Sequence, residues 1–395
     1  MLAADVQPST GAFQGLGSDR VNTVPTDQNL QWQFAPGVAV VSLSDRDALF
    51  CETAQKLYAL DPFAALVARE LTSGPAPLGR LIASCTRHGM DRQDAEDAVT
   101  ALISLWSGAE LLAVVPGSTD EVMRRFPLDL GGIPIDVEIG ASLGSLAMPA
   151  AARKRPDAEA VPCWQIRRWG THVALPKVVI SRHGKPASIA RLDQAIPKLK
   201  ARLVDDVLTA SDRIALHCAL LVRGNRALLL SGAPGAGKST LSVALTAAGF
   251  GYAADDVTLL DHAGMVQGLS FYPTLKRGSW HLLPGYGDVI GRTAVHQRLD
   301  GATLRYLPMP EPRTGIYPVD WIVLLARDDG MPAELNPLEP LATLEVLLQG
   351  AYARTGRSTL SDVQMLSRLV GRAQCRRLSY ANLDEAVRLL HLATE

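Results

Sequence analysis

Three groups of residues in this chain have types and spacings suited to phosphate chemistry. The first is SGAPGAGKST, Ser231 to Thr240, which completes the pattern G-x-x-x-x-G-K-[ST] between Gly232 and Ser239. Its glycines let the backbone curl so that amides point at phosphate oxygens. Lys238 would neutralise the β- and γ-phosphates, and the Ser239 hydroxyl would join the shell of a Mg²⁺ ion. The expected nucleotide-binding residues are therefore Gly232, Ala233, Pro234, Gly235, Ala236, Gly237, Lys238, Ser239 and Thr240. The second group is Asp255-Asp256, seventeen residues beyond Lys238. Of two adjacent carboxylates, one can hold Mg²⁺ directly or through water, and the other can accept the proton of an incoming hydroxyl. Their mutual repulsion raises one pKa, which suits a base. The plain alternative for such a pair is a solvated turn or a helix cap. The third is His217, fifteen residues before Gly232, within the mainly apolar Leu216-His-Cys-Ala-Leu-Leu-Val222. Taken alone, it reads as a hydrogen-bonded core histidine. His172, His183, His262, His281 and His296 lack metal-ligand spacing and read as surface or structural residues.

These groups need a scaffold. The apolar Ala227-Leu-Leu-Leu230 precedes the glycine run and a helix-like 241–248 follows it. Strand, glycine loop and helix is the order the motif requires, with the helix N-terminus adding its positive dipole end. The segment 216–222 would pair beside the loop strand. A short strand is expected at 257–260 and a buried one at 321–326. Residues 262–318 are rich in glycine and proline and read as short strands joined by loops, the sort of region that surrounds a substrate. Within it, Lys276, Arg277, Arg292 and Arg313 are candidate phosphate or substrate contacts. Helices are expected at 341–350, 359–370 and 382–392, with a last edge strand at 375–378. Upstream, 133–139 alternates at period two, placing Asp136 and Glu138 on one face. Further strands are expected at 161–168, 172–175 and 177–180, a loop at 151–156 and a helix over 189–208. Strands from 130 to 185 should lead into the nucleotide domain rather than form an independent unit.

Residues 1–30 are polar and turn-rich, as in a disordered or loosely docked terminus. Strands are expected at 37–43 and 48–51. Asp61 with Pro62 at the first helical position opens a helix over 63–71, which Gly74-Pro75 stops. A second helix covers 78–85. Asp91 caps a third over 92–106, whose Ala95, Val99, Leu102, Ile103 and Trp106 recur at helical spacing. With a strand at 111–115, the segment reads as a small winged-helix-like module.

Composition narrows the classes. The 395 residues allow two or three domains, and a formal charge of -1 with pI near 6.7 gives nucleic acid no electrostatic claim as main partner. Cys51, Cys85, Cys163, Cys218 and Cys375 lie far apart, as reduced thiols of a cytoplasmic protein would. The first twenty residues lack the basic and apolar regions of a signal peptide, and no 18-residue apolar stretch argues for a membrane span. The 47% hydrophobic content suggests large cores or a buried self-association face.

His217, the loop Gly232 to Thr240, Gly249 and Asp255-Asp256 together resemble the HPr kinase/phosphorylase family and its smaller relatives. The resemblance implies an α/β chain, with an HPr-kinase/PEP-carboxykinase-like P-loop domain and mixed sheet over 119–395. Residues 130–200 would supply leading strands and a helix, and 210–395 the nucleotide-binding core and C-terminal helices. It implies ATP as phosphoryl donor, with GTP as the alternative, Mg²⁺, and a homo-oligomer. It implies Asp255 as general base, Asp256 assisting it or holding the metal with Ser239, His217 beside both, and Lys238 on the phosphates. One departure stands out. The family carries a metal-associated glutamate in an E-x-R-G motif, where this chain has Leu275-Lys-Arg-Gly278. Asp288 and Glu311 are the carboxylates that could stand in for it. The tail 371–380, with 383–386, resembles the C-terminal end of HPr-kinase-related proteins in peptide-modification clusters.

Residues 35–115 resemble the PqqD-like fold, which recognises leader peptides of ribosomally made, modified peptides. That implies a PqqD-like winged-helix domain over 31–118, binding a peptide as an added strand along Val38 to Leu43, with the helix 94–105 as the other wall. Packing or dimerisation is the plainer use of such a module. DNA is disfavoured because the third helix is acidic. The expectation is an ATP- and Mg²⁺-dependent kinase acting on a hydroxyl, serine first, of a precursor peptide or small protein. A kinase of free serine or a sugar, and a nucleotide-binding regulatory or assembly subunit, are the alternatives.

Overall fold

The run Ala227-Leu-Leu-Leu230 offers water no polar side chain, and it lies buried on both faces of a sheet covered by helices. The computed structural model describes residues 30–395 except 44–45, 116–120, 145, 154–160, 171–175, 310, 328–329, 331 and 353–356. Over these residues the chain is mixed α/β, with several sheets and no barrel. The strand Arg226–Gly232 pairs antiparallel with Ala219–Arg223 and parallel with Tyr317–Arg327. The sheet continues through Met265–Gly268, Thr258–Leu260 and Ile214–Leu216 to Ala351–Tyr352. Side-chain alternation divides its core. Leu228, Leu230, Val323 and Leu325 pack with the helices Lys238–Ala247 and Leu383–Ala393. Leu220, Leu229 and Ile322 pack on the other face with the helices Pro340–Gln349 and Leu360–Arg372. Thr359 and Asp362 form a capping box on the last of these, and Asn382 caps Leu383–Ala393.

The strand expected at 375–378 extends over Gln374–Tyr380 and is interior rather than an edge. It lies parallel beside Tyr317–Arg327, and Glu334–Pro337 closes its other side. A polar, proline-ending segment suits an edge, where a missing N–H costs the ladder nothing.

Upstream, Met123–Leu130, Ile133–Gly140, Cys163–Trp169, Lys177–Ser181 and Ser188–Arg191 form their own five-stranded sheet. The sheet is separate but its core is not. The helix Ala195–Ala210 packs on it, and the same cluster takes in Leu259, Leu269, Phe271, Leu304 and Tyr306. The helix expected from 189 starts at Ala195 instead, because 188–191 pairs antiparallel with Lys177–Ile180. Pro197 marks the true start, since its missing N–H is harmless only in a first turn. The strand expected at 172–175, His172 and part of the loop at 151–156 lie outside the described residues.

The front module differs from the expected strand pair. Val38–Leu43, Arg46–Cys51 and Lys56–Ala59 form an antiparallel meander, and Gln31–Phe34 lies between Ala76–Pro77 and Leu112–Val115. The alternation Gln-Trp-Gln-Phe is a strand pattern only four residues long, hidden at the end of a polar segment. Leu30 is already core, and Trp32 meets Trp169 of the five-stranded sheet edge-on at 5.3 Å. The helices Pro62–Thr72, Leu78–Arg87 and Arg92–Gly108 follow. Asp61 accepts from the Ala64 amide at 2.7 Å, and Asp91 from that of Gln93 at 2.8 Å. Among the described residues no helix is long and apolar enough to cross a membrane.

Candidate functional site

Gly232 ends the central strand with φ +149°, and a β-carbon there would sit 2.8 Å from the Leu325 carbonyl oxygen. Gly237, at φ +96°, is the residue before the helix Lys238–Ala247, and a β-carbon on it would collide with the Tyr380 hydroxyl. That hydroxyl donates to the Ala236 carbonyl at 2.9 Å, so the C-terminal strand holds the loop's shape. Gly237 offers no side-chain cap, which leaves the first-turn amides of the helix as an anion cradle. Lys238 Nζ donates back to the Gly232 carbonyl at 2.8 Å, arching over the loop. Burial lowers its pKa despite the Asp256, Cys218 and Asp255 charges.

The strand Gly251–Ala254 pairs with Ala219–Arg223, which brings Asp255-Asp256 beside His217 at the start of that strand. His217 does not lie within a continuous strand. It occupies the joint between Ile214–Leu216 and Ala219–Arg223, where its amide donates to the Gly350 carbonyl at 2.9 Å. Its ring therefore escapes the sheet and reaches Asp256, with Nδ1 3.1 Å from Oδ1.

The two aspartates sit in different surroundings. Asp255 is 2% exposed. Its Oδ2 accepts from the Thr274 amide at 2.8 Å, while its buried Oδ1 has no hydrogen-bond partner among the described residues. Burial, then the Asp256 charge, push its pKa up to about 6, against Lys200, the Thr274 amide and the Ser239 hydroxyl. Asp256 has 41% of its side chain exposed. Burial acts to raise its pKa too, but Lys200, His217 and Lys238 outweigh it and hold the carboxyl below the usual range. His217 is lowered by burial, which the Asp256 charge only partly offsets. The pair is thus split into an ionised, cation-held member and a buried member whose proton affinity lies near neutral pH.

Lys200 was not expected here from the sequence. It comes from Ala195–Ala210, and its Nζ lies 3.5 Å from Asp256 Oδ2. The signal was its place on the apolar face, four residues after Ile196 and three before Leu203. A lysine in that row must either snorkel out or find partners.

The other candidates lie further out. Lys276 is exposed, with its charge felt at Lys238. The Arg313 amide donates to the Tyr252 carbonyl at 2.6 Å and its side chain covers Gly251. Arg277 and Arg292 are exposed, with no hydrogen bond or ion pair to the loop or the aspartates. Leu275, where the E-x-R-G glutamate would stand, is fully buried against the loop helix, and Asp288 and Glu311 are exposed. His183, His262 and His281 are exposed, and His296 is buried against Tyr306.

Among the described residues no three His, Cys, Asp or Glu side chains form a metal-holding group. Ser239 and the two aspartates, with the Ser239 hydroxyl acting on Asp255, offer oxygen donors of the type Mg²⁺ takes, its shell otherwise being completed by water and substrate phosphates.

In the front module, Val38–Leu43 has a partner strand on one side only. A groove of about 410 Å³ runs beside it, lined by Phe34, Val38, Val40, Leu71 and Pro75 among others. Its far wall is the end of Pro62–Thr72, not the third helix, which packs on Leu78–Arg87 and Leu112–Val115. The acidic N-terminal half of the third helix faces water, so its apolar residues serve the core.

No protein-family model matches the chain, and no curated protein matches it.

Proposed function

We propose that the chain is an ATP- and Mg²⁺-dependent kinase of the HPr-kinase-like type, a P-loop domain joined to a PqqD-like module. Its acceptor is a hydroxyl, serine first, on a precursor peptide or small protein. The observation that carries this reading is Asp255 Oδ1, a buried carboxylate oxygen without a partner, beside the loop that ends in Lys238 and Ser239. A general base needs an oxygen that is not held by a strong donor and a pKa near working pH. Asp255 Oδ1 has no well-formed hydrogen bond, only the nearby Ser239 hydroxyl acting on the carboxyl, and burial raises the pKa to about 6. The acceptor oxygen attacks the γ-phosphorus as its proton passes to Asp255, the bond to the β-phosphate oxygen breaks, and ADP leaves. Lys238 and the first-turn amides of Lys238–Ala247 stabilise charge on the transferring group. Ser239 and Asp256 would hold Mg²⁺, which supplies charge neutralisation on the phosphates when bound. His217 and Lys200 keep Asp256 ionised and in place. The free edge Val38–Leu43 and its groove support peptide docking by strand addition.

Incubation with γ-labelled ATP and candidate peptides tests this. Label on peptide, lost in Asp255→Asn, is the expected result, and label on a metabolite instead would redirect the acceptor to a small molecule. One observation favours a second reading, a nucleotide-binding assembly subunit. Leu275 buries an apolar side chain where the related kinases place a metal-associated glutamate. Tight ATP binding with neither transfer nor hydrolysis would establish that reading and sink the kinase.

A further inference from the structure

Lys200 is 8% exposed, on a helix face that buries Ile196, Leu199, Leu203 and Val207 and one other charged residue, Asp206, which is held by Trp164 and Arg182. A methionine there would fill the same space without desolvating a charge, so packing alone gives no reason for an ammonium. Its neighbours do. Nζ lies 3.5 Å from Asp256 Oδ2 and donates to Thr274 Oγ1 at 3.2 Å. Thr274 in turn gives its amide to Asp255 Oδ2 at 2.8 Å. The rings of Phe271 and Tyr306 stand 5.4 and 5.8 Å from Nζ and wall it in. Tyr306 is also the cross-strand partner of Thr274, so one wall and the threonine belong to the same small sheet.

We propose that Lys200 is a positioning residue that locks the two aspartates into their different roles. Through Thr274 and Asp256 it closes a chain of contacts running Asp255, Thr274, Lys200, Asp256, His217. Each carboxylate is thereby fixed by named oxygens. Asp255 spends Oδ2 on Thr274 and keeps Oδ1 for the acceptor. Asp256 has Oδ2 against Lys200 and Oδ1 against His217, so it cannot rotate toward its neighbour's place. The helix that carries Lys200 packs on the five-stranded sheet, so the segment ahead of the nucleotide loop completes the site. This rests on the kinase reading for its consequence in turnover, but not for its geometry.

The test uses the full chain as wild type, Lys200→Met and Lys200→Arg, with two readouts. The first is the ring-nitrogen resonances of His217, assigned with His217→Gln and recorded without nucleotide at pH 8. Wild type and Lys200→Arg should show Nδ1 carrying the proton donated to Asp256, and Lys200→Met should lose that signature. The second is steady-state turnover of ATP with Mg²⁺. Lys200→Met should lower kcat roughly 100-fold with KM for ATP within about threefold, and Lys200→Arg should regain about tenfold of the loss. An unchanged His217 signature in Lys200→Met overturns the proposal. So does a loss confined to KM, which would make Lys200 a nucleotide contact, or an equal fall in melting temperature and activity in both variants, which would make it filler. A wild type that binds ATP without turnover sinks the kinase reading alone, because the His217 resonances still decide whether Lys200 holds Asp256.

Discussion

Around Asp255 the chain buries an aspartate and two lysines, Lys200 and Lys238, and places left-handed glycines beside them. Around the groove beside Val38–Leu43 it buries Trp32, Leu49, Val67, Leu71 and Ile103, and the buried polar side chains of described residues 30–115 are only Ser84 and Ser107. The first region stores cost in desolvated charge and constrained backbone. The second buries no charged side chain among its described residues and leaves a strand edge open. Desolvated charge is where pKa values can be separated for chemistry, and an open edge is where a backbone can be added. The two regions also differ in reach. The surroundings of Asp255 draw on residues from 200 to 380, whereas the groove uses only 33–75.

Four changes probe that contrast, beginning with the largest effect. Asp255→Asn should abolish transfer by about 10³-fold, at the upper part of the range for loss of a general base. It should also stabilise the fold at high pH. The folded pKa of about 6 lies above the ordinary 3.8, so stability falls as pH rises from 3.8 to 6 and the cost is complete above 6. The asparagine variant should therefore gain up to about 3 kcal/mol at pH 8 and nothing at pH 4 in denaturant titrations. A variant less stable than wild type at pH 8 would show that burial of Asp255 is not a strained state.

Gly237→Ala should cost roughly 1–3 kcal/mol from its positive φ and the collision with Tyr380, and should weaken ATP binding measured by calorimetry. Pairing it with Tyr380→Phe should recover part of the loss, because the colliding oxygen is gone. Strict additivity of the two changes would mean that Tyr380 does not shape the loop.

The pH profile follows. With Asp255 titrating near 6 and Asp256 held low, kcat/KM should fall about tenfold per pH unit below that point. A limb near pH 4 would place the proton acceptor elsewhere. Smallest in its reach is Ala39→Asp, an exposed residue lining the groove. It should weaken binding of the labelled peptide about tenfold, leave peptide-free ATP turnover unchanged, and alter stability by less than about 0.5 kcal/mol. Equal damage to both activities would join the two regions that the structure keeps apart.

Local signals in the sequence carried far. Asp61-Pro62 and Asp91 announced helix starts because a capping side chain acts on amides two or three residues away. The loop was legible because its glycines, lysine and serine obey one local geometry. Gln31–Phe34 and Glu334–Pro337 were not legible, being too short for periodicity and stabilised by distant partners. The helix at 195 was read six residues early because an apolar strand end and an apolar helix face look alike over one turn. The end of Pro62–Thr72 rather than the third helix flanks the groove, because which helix flanks a strand edge is a matter of packing, not of pattern.

By itself the sequence determined the glycine-rich turn between strand and helix, the neighbouring aspartate pair, the Asp61 and Asp91 caps and the alternation of apolar strands, all set by interactions within a few residues. Only the tertiary structure decided which aspartate is buried with a free oxygen, that His217 breaks out of its strand, and that Lys200 and Tyr380 belong to the site. Those outcomes depend on dielectric, on orientation and on contacts between residues 56 and 144 positions apart. A linear pattern carries none of these, because burial is a property of what the rest of the chain packs around a residue.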